Sequence, residues 1–335
     1  MKPKVFVTRN IPKVGLELLE AKCQVSLWSD EFPPSKDKII EGIKGKDAVL
    51  CMLSDKIDVE VMDAVPSLKV ITTFSVGYDH ISIPEATKRG IYVTYTPGVL
   101  TDATADFAWT LILASARRIV EYDKFVREGK WKIGWSPTFM LGRDVYGKTI
   151  GIVGLGRIGS AVAKRAKGFG MKILYHNTKP SPEQERTLGA EYRSLEGLLK
   201  ESDIVSLHVP LNDSTRNIIG EKQLKLMKPT AFLINTSRGA IIDEAALFKA
   251  LQEKWIGGAA LDVFPKEPID VNNPLLKLDN IVLTPHMASA GFETRYKMAE
   301  ITANDLLAVL SGKAPLYLVN PDVQKVRPLS KVKVL

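Results

Sequence analysis

The sequence predicts an α/β protein with two doubly wound parallel sheets. Three observations predict it. The first hundred residues alternate strand-like and helix-like runs. The stretch Gly154-Leu155-Gly156-Arg157-Ile158-Gly159 reads G-x-G-x-x-G between a strand and a helix. Four further apolar, β-rich runs follow it, and three of them end on residues that can do chemistry. A chain of 335 residues is long enough for two separate cores.

In the first part, Val5-Phe6-Val7-Thr8 reads as a strand and Pro12 to Glu20 as a helix with Leu16 and Leu19 on one face. Gln24 to Trp28 is a strand, Lys36 to Ile43 a helix, and Ala48-Val49-Leu50-Cys51-Met52-Leu53 a strand. Asp58 caps a helix that ends before Pro66. Val70 to Phe74 is a strand, followed by the loop Ser75-Val76-Gly77-Tyr78-Asp79. Pro84 opens a helix that Gly90 closes, and Ile91-Tyr92-Val93-Thr94 is the next strand.

Thr96-Pro97-Gly98 breaks this pattern, and a domain crossing is placed there. One long helix is expected from about Asp102 to about Glu128, then a loop over 130–147 rich in aromatics and glycine. Lys148 to Val153, the glycine turn, Ser160 to Lys167 and Met171 to Tyr175 form a βαβ unit of the expected length. Gly154 permits a tight turn, Gly156 lets a pyrophosphate approach the backbone, and Gly159 lets helix and strand pack closely. The helix N-terminus adds free N–H groups and partial positive charge. Runs at 203–210, 231–236, 258–263 and 280–285 bring this sheet to six strands. The helix from about Phe292 to Ser311 is left over and is returned to the first domain. The expected domains are 1–98 with 288–335, which binds substrate, and 99–287, which binds the dinucleotide. Both are of Rossmann-like or flavodoxin-like form, with the active site in the cleft between them.

Composition limits the function classes. The net charge is +8, but the cations are mixed with acids throughout, so neither nucleic acid nor membrane is an expected partner. The local excess Lys325, Arg327, Lys331 and Lys333 is expected to be solvated. Cys23 and Cys51 lie far apart in apolar runs and are expected to be buried thiols in a reducing cytoplasm. No signal core or apolar run of membrane length occurs, so a cytoplasmic location is expected. No cluster has metal-ligand spacing, and no metal is expected.

Ligands of open α/β sheets bind beyond the carboxyl ends of the strands. There stand Asn235-Thr236-Ser237-Arg238-Gly239, Asp262 with Glu267-Pro268, and Thr284-Pro285-His286. Arginine offers a fixed charged fork to a carboxylate. Histidine exchanges protons near neutrality, and a carboxylate beside it orients and charges it. His80 and His208 are assigned to structure, and His176 to the adenosine end of the nucleotide site.

These segments, in this order and with Ser75 to Asp79 and Thr101-Asp102-Ala103-Thr104-Ala105-Asp106, resemble the D-isomer-specific 2-hydroxyacid dehydrogenases over almost the whole chain. Met52-Leu53-Ser54 and the tryptophan-rich loop resemble the glyoxylate/hydroxypyruvate reductases within that family. The resemblance implies reduction of a small 2-keto acid to its D-2-hydroxy acid. His286 would be the acid–base, Glu267 its partner and Arg238 the substrate clamp. Leu53, Ser75, Val76 and Gly77 would contact substrate, the last two through their backbone. The cofactor would meet Thr104, the turn from Gly154 to Gly159, Asn177, Thr178, Lys179, Val209, Pro210, Thr215, Thr236, Ser237, Arg238, Asp262, His286 and Ala288. Asp262 would lie near the nicotinamide carboxamide. A homodimer through residues 101–147 is also implied.

One position departs from the family pattern. Where NAD-preferring members place an acid for the ribose hydroxyls, this chain has Asn177, followed by Thr178 and Lys179. NADP(H) is therefore the favoured cofactor, with NAD(H) as the other usable one. Other readings are weaker. A nucleotide-sensing corepressor would not need Arg238, Glu267 and His286 intact. A phosphite dehydrogenase would carry lysine where Val76 stands, and a formate dehydrogenase glutamine in place of Glu267. No C-terminal regulatory domain of the phosphoglycerate dehydrogenase kind is expected after Leu335.

Overall fold

A computed structural model describes residues 2–335. The chain forms two units: the residues through Leu100 with Ala290–Leu335, and Thr101–Ser289.

The first unit is a five-stranded sheet of β1 (Lys4–Val7), β2 (Gln24–Leu27), β3 (Ala48–Cys51), β4 (Val70–Thr73) and β5 (Tyr92–Thr94). All pairings are parallel and the order is β2-β1-β3-β4-β5. Strands β3 and β4 are buried along their whole length, as continuous apolar runs require. Helix Phe292–Leu310 packs on helix Lys13–Lys22. Gly15 makes the approach possible, since a Cβ there would stand 2.9 Å from both the Cβ and the carbonyl oxygen of Ala299. Both cysteines are buried and free. Burial, reinforced by the Asp47 charge, pushes the Cys23 thiol up to about 11.

The C-terminal segment is tied to the edge of this sheet. The Asn320 side chain accepts from the Val93 amide at 2.9 Å and donates to the Ile91 carbonyl at 2.9 Å and to Thr87 Oγ1 at 3.0 Å. The Val319 amide donates to the Val93 carbonyl at 2.8 Å. Arg327, expected to be solvated, is half-buried: its carbonyl accepts from the Tyr92 hydroxyl at 2.6 Å and its guanidinium donates to the Leu68 carbonyl at 3.3 Å. Lys325, Lys331 and Lys333 remain exposed.

The second unit holds β6 (Thr149–Val153), β7 (Lys172–His176), β8 (Ala190–Tyr192), β9 (Ile204–Leu207), β10 (Phe232–Asn235), β11 (Gly258–Leu261) and β12 (Ile281–Leu283). The order is β12-β11-β10-β9-β6-β7-β8, all parallel. The chain runs outward from β6 to β8, then crosses back to β9, so the topological switch lies between β6 and β9. Both faces are apolar. Ile150, Ile152 and Ile234 pack on one side under helices Thr101–Ala116 and Arg157–Ala166. Val205, Leu207, Leu233 and Leu261 pack on the other.

Two expectations need correction. The sheet has seven strands, not six, because Ala190-Glu191-Tyr192 pairs with β7 at the edge. It is three residues long with only Ala190 buried, too little for a periodic signal. The expected long helix is two, Thr101–Ala116 and Ile119–Arg127, joined by Arg118 at φ 55°. The break has a tertiary cause. The Ala116 carbonyl accepts from the Arg143 amide at 2.7 Å, and Arg118 donates to the Leu141 carbonyl at 3.1 Å. Among the described residues, no helix is long and apolar enough to cross a membrane.

Replacing Asn320 by Leu should leave the Val93 amide and the Ile91 carbonyl without partners. That should destabilise the first unit by roughly 2–4 kcal/mol. Denaturant midpoints and hydrogen exchange at the Val93 amide check this. Unchanged values for both would show that the tail does not anchor the sheet edge.

Candidate active site

The glycine turn sits at the switch point, and two of its glycines are required by protein contacts. Gly154 has φ +96°, and a Cβ on it would meet the His208 carbonyl group and the Val209 amide at 2.8 Å. A Cβ on Gly159 would stand 2.1 Å from the Gly154 carbonyl oxygen. Among the described residues, its chain neighbours aside, no atom lies within 4 Å of a Cβ position on Gly156, so there the backbone is open to a ligand. Helix Arg157–Ala166 begins at this residue with no side-chain cap and no acid in its first turn. Its N–H groups and partial positive charge are left for an anion.

Asn177 closes the turn from the β7 side, because its Oδ1 accepts from the Leu155 amide at 2.7 Å. That leaves its Nδ2 as a donor. Thr178 and Lys179 are exposed. His176 Nδ1 lies 3.0 Å from the Arg193 carbonyl oxygen. His208 pairs through Nε2 with Ser206 Oγ at 2.8 Å, and burial pushes its imidazole down to about 4. It is therefore neutral at physiological pH.

Beyond β10, the buried Asn235 side chain organises the next turn. Its Oδ1 accepts from the Ser237 amide at 3.0 Å and its Nδ2 donates to the Arg238 carbonyl at 2.8 Å. The Ser237 hydroxyl donates to the Val209 carbonyl, joining this turn to the one after β9. Among the described residues the buried Thr236 hydroxyl has no hydrogen-bond partner, and a bound ligand can supply one. Gly239 presses on the loop after β11: a Cβ there would stand 1.9 Å from the Phe264 carbonyl carbon. No side chain fits, so the turn carrying Arg238 and the loop carrying Glu267 meet backbone to backbone.

After β11, the Asp262 carboxylate is wholly buried and accepts three hydrogen bonds. Thr284 Oγ1 donates to Oδ1 at 2.6 Å, as does the Met287 amide at 2.8 Å; the Ala288 amide donates to Oδ2 at 2.8 Å. Burial pushes the Asp262 carboxyl up, with these bonds opposing. The turn so held carries His286 at φ 58°, an uncommon conformation for a residue with a side chain. Asp262, expected beside a carboxamide, thus spends its carboxylate on the histidine turn.

His286 Nδ1 lies 2.7 Å from Glu267 Oε2, and Glu267 Oε1 accepts from the Phe264 amide at 2.9 Å. Burial raises the Glu267 carboxyl, but the bond and charge of His286, the Phe264 amide and the Arg238 charge outweigh it. Its net position is lowered, which holds Glu267 as the carboxylate. Among the described residues, no protein group bonds His286 Nε2. The pair therefore presents one ring nitrogen outward with a carboxylate behind it.

The other expected cofactor residues differ in what they have free. Thr104 is buried in the first helix of the unit. Val209 is half-buried against the core and Pro210 is exposed. The Thr215 hydroxyl donates to the Pro210 carbonyl at 2.6 Å and accepts from the Asn212 amide at 2.9 Å, so it shapes its own loop. Ala288 is buried with its amide on Asp262. In the first unit, Leu53, Val76 and Gly77 are half-buried and Ser75 is buried.

A glycine turn at a switch point and a histidine–carboxylate pair at neighbouring strand ends together define a dinucleotide-dependent oxidoreductase. Residues 109–288 match the family model for the D-isomer specific 2-hydroxyacid dehydrogenase NAD binding domain. The chain is 59% identical to a glyoxylate reductase of Korarchaeum cryptofilum over 98% of its own length and 99% of that protein's. It is 56% identical to one of Thermofilum pendens, over 100% and 99% of the two lengths. Among solved structures, an NADPH-dependent glyoxylate/hydroxypyruvate reductase of Sinorhizobium meliloti, in complex with NADP and malonate, superposes with a TM-score of 0.83 at 34% identity. That match covers 96% of this chain and 98% of the other. The chain belongs to the D-isomer-specific 2-hydroxyacid dehydrogenase family, and it is an oxidoreductase.

Glu267→Gln keeps a hydrogen-bonding group beside His286 and removes its charge. The contact with His286 that lowers the Glu267 carboxyl is then lost, so the limb of reductive activity should move to lower pH. A kcat/KM profile against pH checks this, and an unmoved limb would disconnect Glu267 from the proton transfer.

Proposed function

We propose that this protein reduces small 2-keto acids, glyoxylate and hydroxypyruvate among them, to D-2-hydroxy acids with NADPH, and more weakly with NADH. The observation that carries the proposal is His286, with Nδ1 on Glu267 at 2.7 Å and Nε2 uncommitted among the described residues. The glyoxylate reductases that share more than half of its residues support the substrate class.

A nicotinamide dinucleotide fits the residues present. The bare backbone at Gly156 and the uncapped helix behind it would hold the pyrophosphate, and Thr236 would give its orphaned hydroxyl a partner. When bound, the reduced cofactor supplies the hydride for the substrate carbonyl carbon. Arg238 binds the substrate carboxylate and carbonyl oxygen and stabilises charge growing on that oxygen. His286 delivers a proton from Nε2 to the same oxygen, and Glu267 stabilises the imidazolium that makes the proton available. Asp262 keeps the histidine turn in place. The Val76 and Gly77 amides are the proposed second hold on the carboxylate.

The preference for NADPH rests on the residues after β7. Asn177, Thr178 and Lys179, directly after that strand, place no carboxylate there to repel a 2′-phosphate. Asn177 keeps an amide donor, and Lys179 is exposed and forms no ion pair among the described residues. A dimer through residues 101–147 is proposed on the apolar surface that segment exposes. Trp131, Ile133, Trp135, Leu141 and Tyr146 are all more than half exposed, and Trp131, Trp135, Phe139 and Leu141 line a cavity of ≈ 500 Å³. Isolated copies would leave this apolar patch in water.

Steady-state kinetics with glyoxylate and hydroxypyruvate against both cofactors test the reading. Turnover of either acid is expected, with kcat/KM for NADPH at least equal to that for NADH. His286→Ala should lower kcat by about two to four orders of magnitude and leave cofactor affinity unchanged. Asn177→Asp should move the preference toward NADH; no movement would remove this turn from cofactor choice. Sedimentation should find a dimer that Trp135→Glu weakens, and a native monomer would end that part of the proposal.

A further inference from the structure

A chain of buried polar side chains lies beneath the loop after β4, and the activity outlined above does not use it. Thr73 and Ser75 are 0% and 3% exposed, and their hydroxyl oxygens are 2.7 Å apart. Ser75 Oγ is 2.6 Å from the Gly77 carbonyl oxygen. Thr73 Oγ1 is 3.1 Å from His80 Nε2, with Cys51 Sγ 4.0 Å from the same nitrogen.

The direction of every bond follows from its last member. A carbonyl oxygen can only accept, so the Ser75 proton points at Gly77. Ser75 has no other proton, so the Thr73 hydroxyl must donate to Ser75. Thr73 then has only lone pairs left for His80, and Nε2 must carry a proton. The order is His80 Nε2–H to Thr73, Thr73 to Ser75, and Ser75 to the Gly77 carbonyl.

That carbonyl belongs to the peptide joining Gly77 to Tyr78, so the chain sets the plane of this peptide at a glycine, where the backbone alone sets least. On the near side of it, the Val76 and Gly77 amides have no protein acceptor among the described residues. Successive free amides of this kind form an anion-binding concavity. We propose that Thr73 and His80 are positioning residues that aim the Val76 and Gly77 amides at the substrate carboxylate through Ser75. The proposal rests on the keto-acid reading above, and it makes these two side chains determinants of substrate affinity.

The test has two parts. In Thr73→Val the shape is kept and the chain is cut. KM for glyoxylate should rise about tenfold or more, with kcat within about threefold and NADPH affinity unchanged. Thr73→Ser restores the hydroxyl and should return KM to near the native value. An unchanged KM in folded Thr73→Val overturns the proposal. So does an equal loss in Thr73→Ser, or a matching fall in kcat and cofactor affinity, since either marks a packing role. The second part needs no variant and no turnover. Nitrogen NMR of the native protein, which has four histidines, should find His80 Nε2 protonated, with the signal assigned by its loss in His80→Gln. A bare Nε2 overturns the chain whether or not Thr73→Val folds. Absence of native keto-acid turnover would instead count against the activity and leave this measurement readable.

Discussion

The second unit depends on one buried charge. Asp262 follows β11 with its carboxylate out of water, a costly place for an anion unless it is well bonded. Its three donors all come from the turn after β12. The bonding that makes the burial tolerable therefore also bends residues 284–288 into the shape that carries His286. A hydroxyl and two amides converge on one carboxylate, and the histidine within the turn so held sits at positive φ. The positions of Glu267 and Arg238 follow from the neighbouring contact, where Gly239 lies against the Phe264 carbonyl. The geometry of the candidate site thus comes from backbone seams between adjacent strand ends, with Arg238, Glu267 and His286 placed on top.

Much of the fold could be read from the chain because the signals are local. The β-rich runs of both sheets and the glycine turn each carry their pattern within a few residues. The turn was readable for a further reason: Gly154 and Gly159 are excluded from bearing a side chain by atoms of the turn itself and of the next strand end. What could not be read depends on partners distant in sequence. The helix break at Arg118 has no glycine or proline to announce it and is made by Arg143 and Leu141. The strand Ala190–Tyr192 exists because β7 offers it an edge.

The same distinction holds within the site. That Arg238, Glu267 and His286 stand at strand ends follows from the sequence and the sheet rule. That Asp262 turns its carboxylate to the histidine turn, that Asn177 turns Oδ1 to Leu155, and that Thr215 closes its own loop do not follow. In each case the residue type was informative and the direction of the side chain was not. The polar chain under Ser75 is the extreme case. Its members lie between the end of β4 and His80 in the loop after it, and only their three-dimensional placement shows that their protons can be arranged in a single way.

The nested arrangement of the two units bears on how the polypeptide can be made. Thr101–Ser289 is continuous, whereas the first unit needs both ends of the chain. Helix Lys13–Lys22 buries Gly15 and Leu19, and Gly15 does so against Ala299, which lies on a helix that begins at Phe292. During synthesis from the N-terminus, the first unit must hold an uncovered apolar face while the whole second unit emerges. The part translated first is thus the part completed last. The ribosome can release a finished dinucleotide domain flanked by a half-built one, and that interval is when the chain most needs shielding from its neighbours.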